Sequence, residues 1–436
     1  MRVARVTDTD PGSSALRKVL QRLLPFTMLL FFFSLIDRTN ISFAALQMNE
    51  DLDFGPTVYG FAAGIFFVGY CLFEIPSNLV LMRVGARRWL ARIMLTWGLV
   101  VVATAWVSGL KSLYMMRFLL GVAEAGLLPG LFYYLGTWIP ASHRGLGLSV
   151  LMSTAALSNV IGGPLATGIM ELDGWLGFRG WQLVFIVEGV PTVLVAVAVL
   201  ALLPETPREA RWLEPAERDW LESTIARENA TKARVGAMSL RQGFTDRRVL
   251  IATVFSFFLV CCNFGTVFWL PQILKSLGSL TNLQVGQLSV VPYLLGGVGM
   301  IFWGRHSDRG HDRRWHLVAS GVLAMIGYAL AGLASTPAVS FVGLCLATLA
   351  VWSMFGVFWA IAADQLAGPA AAVGLAFINS VGTLGGFVAP LLMGYIRELT
   401  GAFSGSLLAL AASAALTALI APLLYVRPRG PEVALS

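Results

Sequence analysis

Charge is what this sequence has least of. Only 13% of its 436 residues are Asp, Glu, Lys or Arg, while 57% are hydrophobic. Soluble domains carry about 25% charge and 45–50% apolar residues, so a soluble enzyme or binding domain is excluded. Cysteine is scarce as well. Cys71, Cys261, Cys262 and Cys345 all fall in apolar stretches, which excludes a disulfide scaffold and leaves them as small buried hydrophobes. The four histidines (143, 306, 311 and 316) lie in or beside polar loops, and no metal centre is expected. No lysine follows a glycine, so there is no Walker A loop and no ATP hydrolysis by this chain. G-x-S-x-G, H-E-x-x-H and TVGYG are missing too, which argues against common hydrolases and a potassium-type channel.

What is present is a succession of apolar runs of about 20 residues, each able to cross a ~30 Å hydrocarbon core. Twelve spans are expected, at 22–45, 57–80, 89–109, 112–138, 146–170, 181–203, 249–274, 285–304, 316–334, 338–363, 371–396 and 403–426. The fold class is therefore an all-α polytopic membrane protein. Residues 1–22 hold five cations and no small-residue cleavage site, so no cleavable signal is expected.

Lysine and arginine orient the spans. Of 31 cations, 25 fall on the side of the N-terminus (1–21), the 204–248 stretch and the C-terminus (427–436), four on the other side, and two, Arg38 and Arg117, inside spans. Both termini are thus expected in the cytoplasm, and the net charge of +7 reflects topology instead of nucleic-acid binding. The acidic segment 49–53 fits the external face. The 204–248 stretch divides the chain into bundles at 22–203 and 249–426. Around 214–228 it reads equally as an amphipathic surface helix or a solvated linker. The halves echo each other: Arg83, Arg87 and Arg88 recur as Arg309, Arg313 and Arg314, and Pro164 recurs as Pro390, all at an offset of 226. Parallel six-span repeats are the pattern of transporters that bind substrate at the midplane.

Ionisable groups at mid-span cost roughly 2.5–3.5 kcal/mol each on insertion scales and so mark polar cavities. Asp37, Arg38, Glu74, Arg117, Glu124 and Glu188 are such groups. Arg117 and Glu124 are two turns apart and share a helix face, with Gly121, Gly126 and Gly130 nearby to permit close approach or bending. Asp37 and Arg38 are adjacent, about 100° apart on their helix, and cannot both point at one partner. The functional reading gives Arg38 and Arg117 an anionic substrate and Asp37 and Glu124 protons. The plainer alternative is two internal salt bridges joining spans 1 and 4. An arriving anion that competes for an arginine would free a carboxylate to bind a proton, and coupling would be reciprocal. Glu74 and Glu188 read as structural, through capping or pairing with loop arginines.

The strings Gly304-x-x-x-Asp308-Arg309 with Arg313-Arg314, and Pro204-Glu205-Thr206-Pro207, resemble loop motifs of the major facilitator superfamily. Within it, Asp37-Arg38-x-Asn40, Phe66-Phe67-Val68-Gly69-Tyr70-x-x-Phe73-Glu74-Ile75-Pro76-Ser77-Asn78, the Arg117–Gly126 run, Trp181-Gln182-x-x-Phe185-x-x-Glu188-Gly189-x-Pro191, Trp269-Leu270-Pro271-Gln272 and Asn379-Ser380 are similar to the anion:cation symporter family of tartrate, phthalate, galactonate and hydroxyphenylacetate carriers. The resemblance implies two six-helix bundles, substrate contacts from Arg38 and Arg117, proton coupling by Asp37 and Glu124, and Tyr70, Trp359 and Asn379 lining the cavity. Gly304, Asp308, Arg309, Arg313, Arg314 and Arg83 would form the gating loops. Two departures matter: Leu35 stands where sugar-acid carriers often have tyrosine, and Met82 where an acidic residue usually precedes Arg83. The expectation is a proton-driven importer of a small organic carboxylate in the cell inner membrane, monomeric, with no cofactor and no ATP-binding subunit. A tartrate-like or an aromatic acid both fit. Sodium-coupled symport, anion exchange and a non-transporting acid sensor are the alternatives; an intramembrane enzyme is disfavoured.

Overall fold

A backbone in lipid must satisfy its own hydrogen bonds, and a chain this apolar does so by folding as helices. The computed structural model describes residues 11–234, 246–309, 313–365 and 369–424, and among them every regular element is helical. The α-helices, in chain order, are α1 (Pro11–Asp51), α2 (Pro56–Val84), α3 (Ala86–Thr104), α4 (Leu110–Glu124), α5 (Leu127–Gly136), α6 (Ala141–Met170), α7 (Gly180–Leu202) and α8 (Pro215–Arg234). Then come α9 (Arg247–Ser276), α10 (Asn282–Arg309), α11 (Arg314–Leu333), α12 (Pro337–Gln365), α13 (Pro369–Thr383), α14 (Gly385–Thr400) and α15 (Ser404–Ile420). Helices α2, α8 and α12 start at a proline, whose missing N–H costs nothing in a first turn.

The twelve expected spans are all recognisable. Helices α4 and α5 together make the fourth, and α13 and α14 the eleventh. Eleven of the twelve are long and apolar enough to cross a membrane on hydropathy alone. The other is α3, whose first turns carry Arg87, Arg88 and Arg92; it packs along α7 and α4.

Several boundaries differ from the hydropathy reading, and each difference has a local cause. Helix α1 has 41 residues against the 24 expected, about 61 Å of helix at 1.5 Å per residue. Polar partners hold its extra turns. Near its start, Lys18 pairs with Glu217 at 2.8 Å. At its end, Asp51 takes two hydrogen bonds from Arg179, at 2.8 and 2.6 Å, and one from the Trp181 indole at 2.9 Å. The 204–248 stretch is neither free linker nor lone surface helix where it is described. Helix α8 docks on the start of α1, with Trp220 against Gly12 and Glu228 paired to Arg144 at 3.2 Å.

The described residues group into two compact units, one within Met1–Gly236 and Phe268–Val290, the other within Ala237–Val267 and Val291–Ser436. In the first, Tyr59 donates to the Phe268 carbonyl at 2.6 Å and packs edge-on against Trp269, with ring centroids 4.9 Å apart. Helices α2 and α4 cross here through two glycines. A Cβ on Gly69 would meet the Phe118 carbonyl at 2.5 Å, and one on Gly121 would overlap the Phe66 carbonyl. In the second unit, α11 packs between α12 and α15. Pro164 lies inside α6 and Pro390 inside α14.

The Gly121 contact is backbone on backbone, so neither side can yield by changing rotamer. Gly121→Val is expected to destabilise the protein by about 2 kcal/mol or more. Thermal unfolding in detergent checks this, and a wild-type midpoint would show that the crossing tolerates a larger residue.

Candidate functional site

The charged residues of the site hang on one geometric fact about α1. Asp37 and Arg38 are consecutive and leave the helix in different directions. Arg38 turns to α4 and forms an ion pair and hydrogen bond with Glu124. The Glu124 oxygen that receives it also accepts from the Ser34 hydroxyl at 2.6 Å, and Ser34 sits one turn before Arg38. Asp37 turns instead to α3 and α7. Its Oδ2 accepts from the Trp97 indole and the Thr192 hydroxyl, each at 2.8 Å. Of the two salt bridges that the plainer sequence reading allowed, the Arg38–Glu124 pair forms, while Asp37 is held by neutral donors.

Aromatic rings wall the arginines. The Arg38 guanidinium lies 5.0 Å from the centroid of Phe66 and 5.2 Å from that of Tyr70, and Arg117 lies 5.4 Å from Phe66. Such cation–π contacts are worth about 2 kcal/mol when desolvated. Arg117 is 1% exposed. Its hydrogen bonds go to backbone carbonyls alone, Ala62 at 3.3 Å and Arg38 at 3.4 Å, and its Nη1 has no acceptor. Arg38 Nε and Glu124 Oε2 are likewise buried without a partner. Donors and charge thus converge at one place with hydrogen-bonding capacity left over.

The end of α4 explains how Glu124 is presented. Helix α4 stops at Glu124, Ala125 takes an extended conformation, and Gly126 adopts a left-handed one at φ 88° before α5 resumes. Only glycine enters that region without strain, and a Cβ there would also meet the Ser77 hydroxyl at 2.5 Å. A break next to a buried acid inside a span matches the interrupted helices of transporters.

Glu188 departs from its expected role. It lies on α7, 4% exposed, beside Asp37 and Asn40, and not in company with loop arginines. Glu74 is buried beside Tyr70, one turn away on α2. Among the described residues every buried acid or arginine on a span belongs to the first unit. Trp359 on α12 and Asn379 on α13 belong to the second. Trp359 is half-buried against Phe358, and the backbone carbonyl of Asn379 accepts from Thr383. The described buried polar groups of that unit are neutral, with Thr266 and Tyr328 joined through their hydroxyls at 2.6 Å.

The loop motifs behave differently in the two halves. Asp308 pairs with Arg313 at 3.0 Å, Arg314 lies over Trp315, Arg309 is exposed on the last described turn of α10, and Gly304, within α10, has open space where a Cβ would stand. In the first half Arg83 is exposed, and the acid missing at Met82 is supplied from far along the chain. Glu205 accepts from the backbone N–H groups of Ala86 at 2.6 Å and Arg87 at 3.0 Å, capping α3, while Glu209 pairs with the Arg87 side chain at 3.1 Å. Ser34, Trp97 and Thr192 carry no sequence signal of these roles beyond helical spacing, as for Ser34 to Arg38 and Glu188 to Thr192, whereas Glu205 stands in the Pro204–Pro207 loop motif, which by itself does not show that it caps α3.

Twelve membrane spans, with buried and incompletely paired charge in the first unit, are the make-up of a polytopic membrane transporter. The chain belongs to the major facilitator superfamily, whose model matches residues 27–390 and 282–436. It is 44% identical over 400 residues, 92% of both chains, to an Agrobacterium vitis protein named "Putative tartrate transporter". It is 39% identical to the "Putative metabolite transport protein NicT" of Pseudomonas putida, over 91% of both chains, and 36% identical to a "Quinolone resistance transporter" of Acinetobacter baumannii, again over about nine-tenths (91% and 92%). A D-xylose–proton symporter shares the fold, with a TM-score of 0.74 and 15% identity over 92% of this chain and 96% of that one.

A buried ion pair resists the loss of one partner more than the loss of both. Arg38→Met is expected to cost about 3–5 kcal/mol of stability, and Arg38→Met with Glu124→Leu to recover most of it. Detergent unfolding of the two variants checks this, and equal losses would show that Glu124 finds another partner.

Proposed function

We propose that this protein is a proton-coupled symporter that imports a small organic carboxylate, tartrate or a similar hydroxydicarboxylate, through the cell inner membrane with both termini cytoplasmic. Phthalate-like aromatic acids are the second substrate class. The observation that carries the reading is Arg117, a buried cation whose hydrogen bonds reach only neutral carbonyls and whose Nη1 is unpaired. A substrate carboxylate supplies the missing anion there, and a guanidinium can bind it in bidentate fashion. Tyr70 and Phe66 give the substrate an apolar wall.

Coupling follows from Arg38. A carboxylate that draws Arg38 toward itself takes it from Glu124, and a buried Glu124 left without its cation takes up a proton. Substrate and proton then bind together, and each strengthens the other. No cofactor enters; the proton gradient drives accumulation. The tartrate name of the A. vitis relative and the uneven distribution of arginine support substrate class and orientation. The A. baumannii relative favours one rival, export of an aromatic drug in exchange for protons.

Proteoliposomes with acid outside separate these readings. Labelled tartrate is expected to accumulate and to leak out once a protonophore is added. Glu124→Gln is expected to abolish this accumulation while sparing tartrate exchange, and Arg117→Lys to raise KM about tenfold or more, roughly 1.4 kcal/mol of binding. Accumulation that survives in Glu124→Gln, or that needs sodium instead of a pH gradient, overturns the coupling assigned here. Quinolone extrusion without tartrate uptake favours the exporter.

A further inference from the structure

Helix α3 carries three arginines and no acidic side chain. One arginine is neutralised from the loop after α7: Arg87 pairs with Glu209, while Glu205 accepts from the N–H groups of Ala86 and Arg87. Among the described residues the other two, Arg88 and Arg92, form no ion pair. Two uncompensated cations in the first turns of a helix are unfavourable, because the helix dipole already places positive charge at that end and acids are its usual occupants.

Arg88 and Arg92 stand one turn apart on a single stripe of α3. Arg88, Leu95 and Leu99 are exposed and Arg92 is half-buried, while Leu90, Ile93, Met94, Trp97 and Val101 are buried in a helix packed along α7 and α4. A row of exposed leucines on a membrane span faces acyl chains. The span expected at 89–109 leaves Arg88 just outside the hydrocarbon and Arg92 just within it, about 6 Å deeper along the axis. A long cationic side chain in that position usually bends back toward water. Arg92 is held instead: its guanidinium lies 3.8 Å from the centroid of the Trp89 ring, and the Trp89 indole is fixed in turn by a 3.0 Å hydrogen bond to Ser77 on α2. The Arg92 Nε is buried without an acceptor.

We propose that Arg88 and Arg92 bind the phosphate of an anionic glycerophospholipid whose acyl chains lie along Leu95 and Leu99, in the leaflet that meets the first turns of α3. A guanidinium held against a ring is already oriented for parallel hydrogen bonds to two phosphate oxygens. The leucine row, continuous with the cations, selects a lipid over free phosphate. The lack of any acid on α3 leaves nothing there to receive a choline or ethanolamine group, so a headgroup of net negative charge is favoured. The site lies on the lipid-facing side of α3, apart from Arg38, Arg117 and Glu124, and it does not depend on the transport reading.

Mass spectrometry of the intact full-length protein, released from detergent with phosphatidylglycerol and phosphatidylcholine at equal concentration, tests this. The wild type is expected to retain about tenfold more phosphatidylglycerol than phosphatidylcholine. Arg88→Gln with Arg92→Gln is expected to bring the two lipids level. Arg247→Gln with Arg248→Gln, which removes the same charge from the exposed start of α9, is expected to keep most of the preference. Arg92→Lys keeps the charge but loses the planar contact with Trp89, and is expected to lower phosphatidylglycerol retention several-fold. Equal retention of both lipids by the wild type, which requires no variant to fold, overturns the proposal. So does an equal fall in the two double variants, which would make the preference a matter of overall charge. Full retention in Arg92→Lys would overturn the part given to Trp89, and displacement of the lipid by soluble glycerol phosphate would make this a site for free phosphate and overturn the lipid assignment.

Discussion

Burying a guanidinium and a carboxylate in a membrane bundle is costly unless each has the other, and the Arg38–Glu124 pair meets that condition only partly. Each partner keeps an unpaired atom, and the pair depends on Ser34 and on the aromatic wall of Phe66 and Tyr70. Helix α4 ends at Glu124 and restarts beyond Gly126 so that the acid can reach α1. Helices α2 and α4 approach closely enough to bring Phe66 to both arginines because Gly69 and Gly121 have no side chains. Much of the first unit's irregular geometry thus serves one ion pair.

Incomplete pairing is a structural expense with a use. An internal pair saturated with hydrogen bonds would be a strut, indifferent to an arriving anion. Arg117, bonded only to carbonyls, and Arg38, with a free Nε, retain capacity that a carboxylate can satisfy. The second unit contrasts sharply: its described buried polar groups are neutral hydroxyls such as Thr266 and Tyr328. The internal repeat evident in the arginine and proline positions has therefore preserved helices and loops while concentrating buried charge in one half.

Replacement of parts by distant residues recurs in the loops. Where Met82 leaves Arg83 without an acidic neighbour, Glu205 reaches the first turn of α3 and Glu209 holds Arg87. Where α1 runs past the length a bilayer needs, α8 covers its beginning with Glu217 and Trp220. In both cases the 204–234 region acts as a brace on the first unit.

Hydropathy determined the number of spans, because lipid admits no other way to satisfy a backbone of this composition. It also exposed Asp37, Arg38, Arg117, Glu124 and Glu188, since each is costly where it stands. Even the divergence of Asp37 and Arg38 was legible, because adjacent residues on a helix are about 100° apart. Partners were not legible. Glu124 lies two turns from Arg117 on the same helix yet pairs with Arg38, and Glu188 resembled a capping residue until α7 packed it against α1. Trp97 and Thr192 gave no warning, since an indole or a hydroxyl acquires its role only from what a neighbouring helix brings within about 3 Å. The cost of a buried charge is a property of one residue and its span, and sequence records it. The choice of partner is a property of helix packing, and only the tertiary structure decides it.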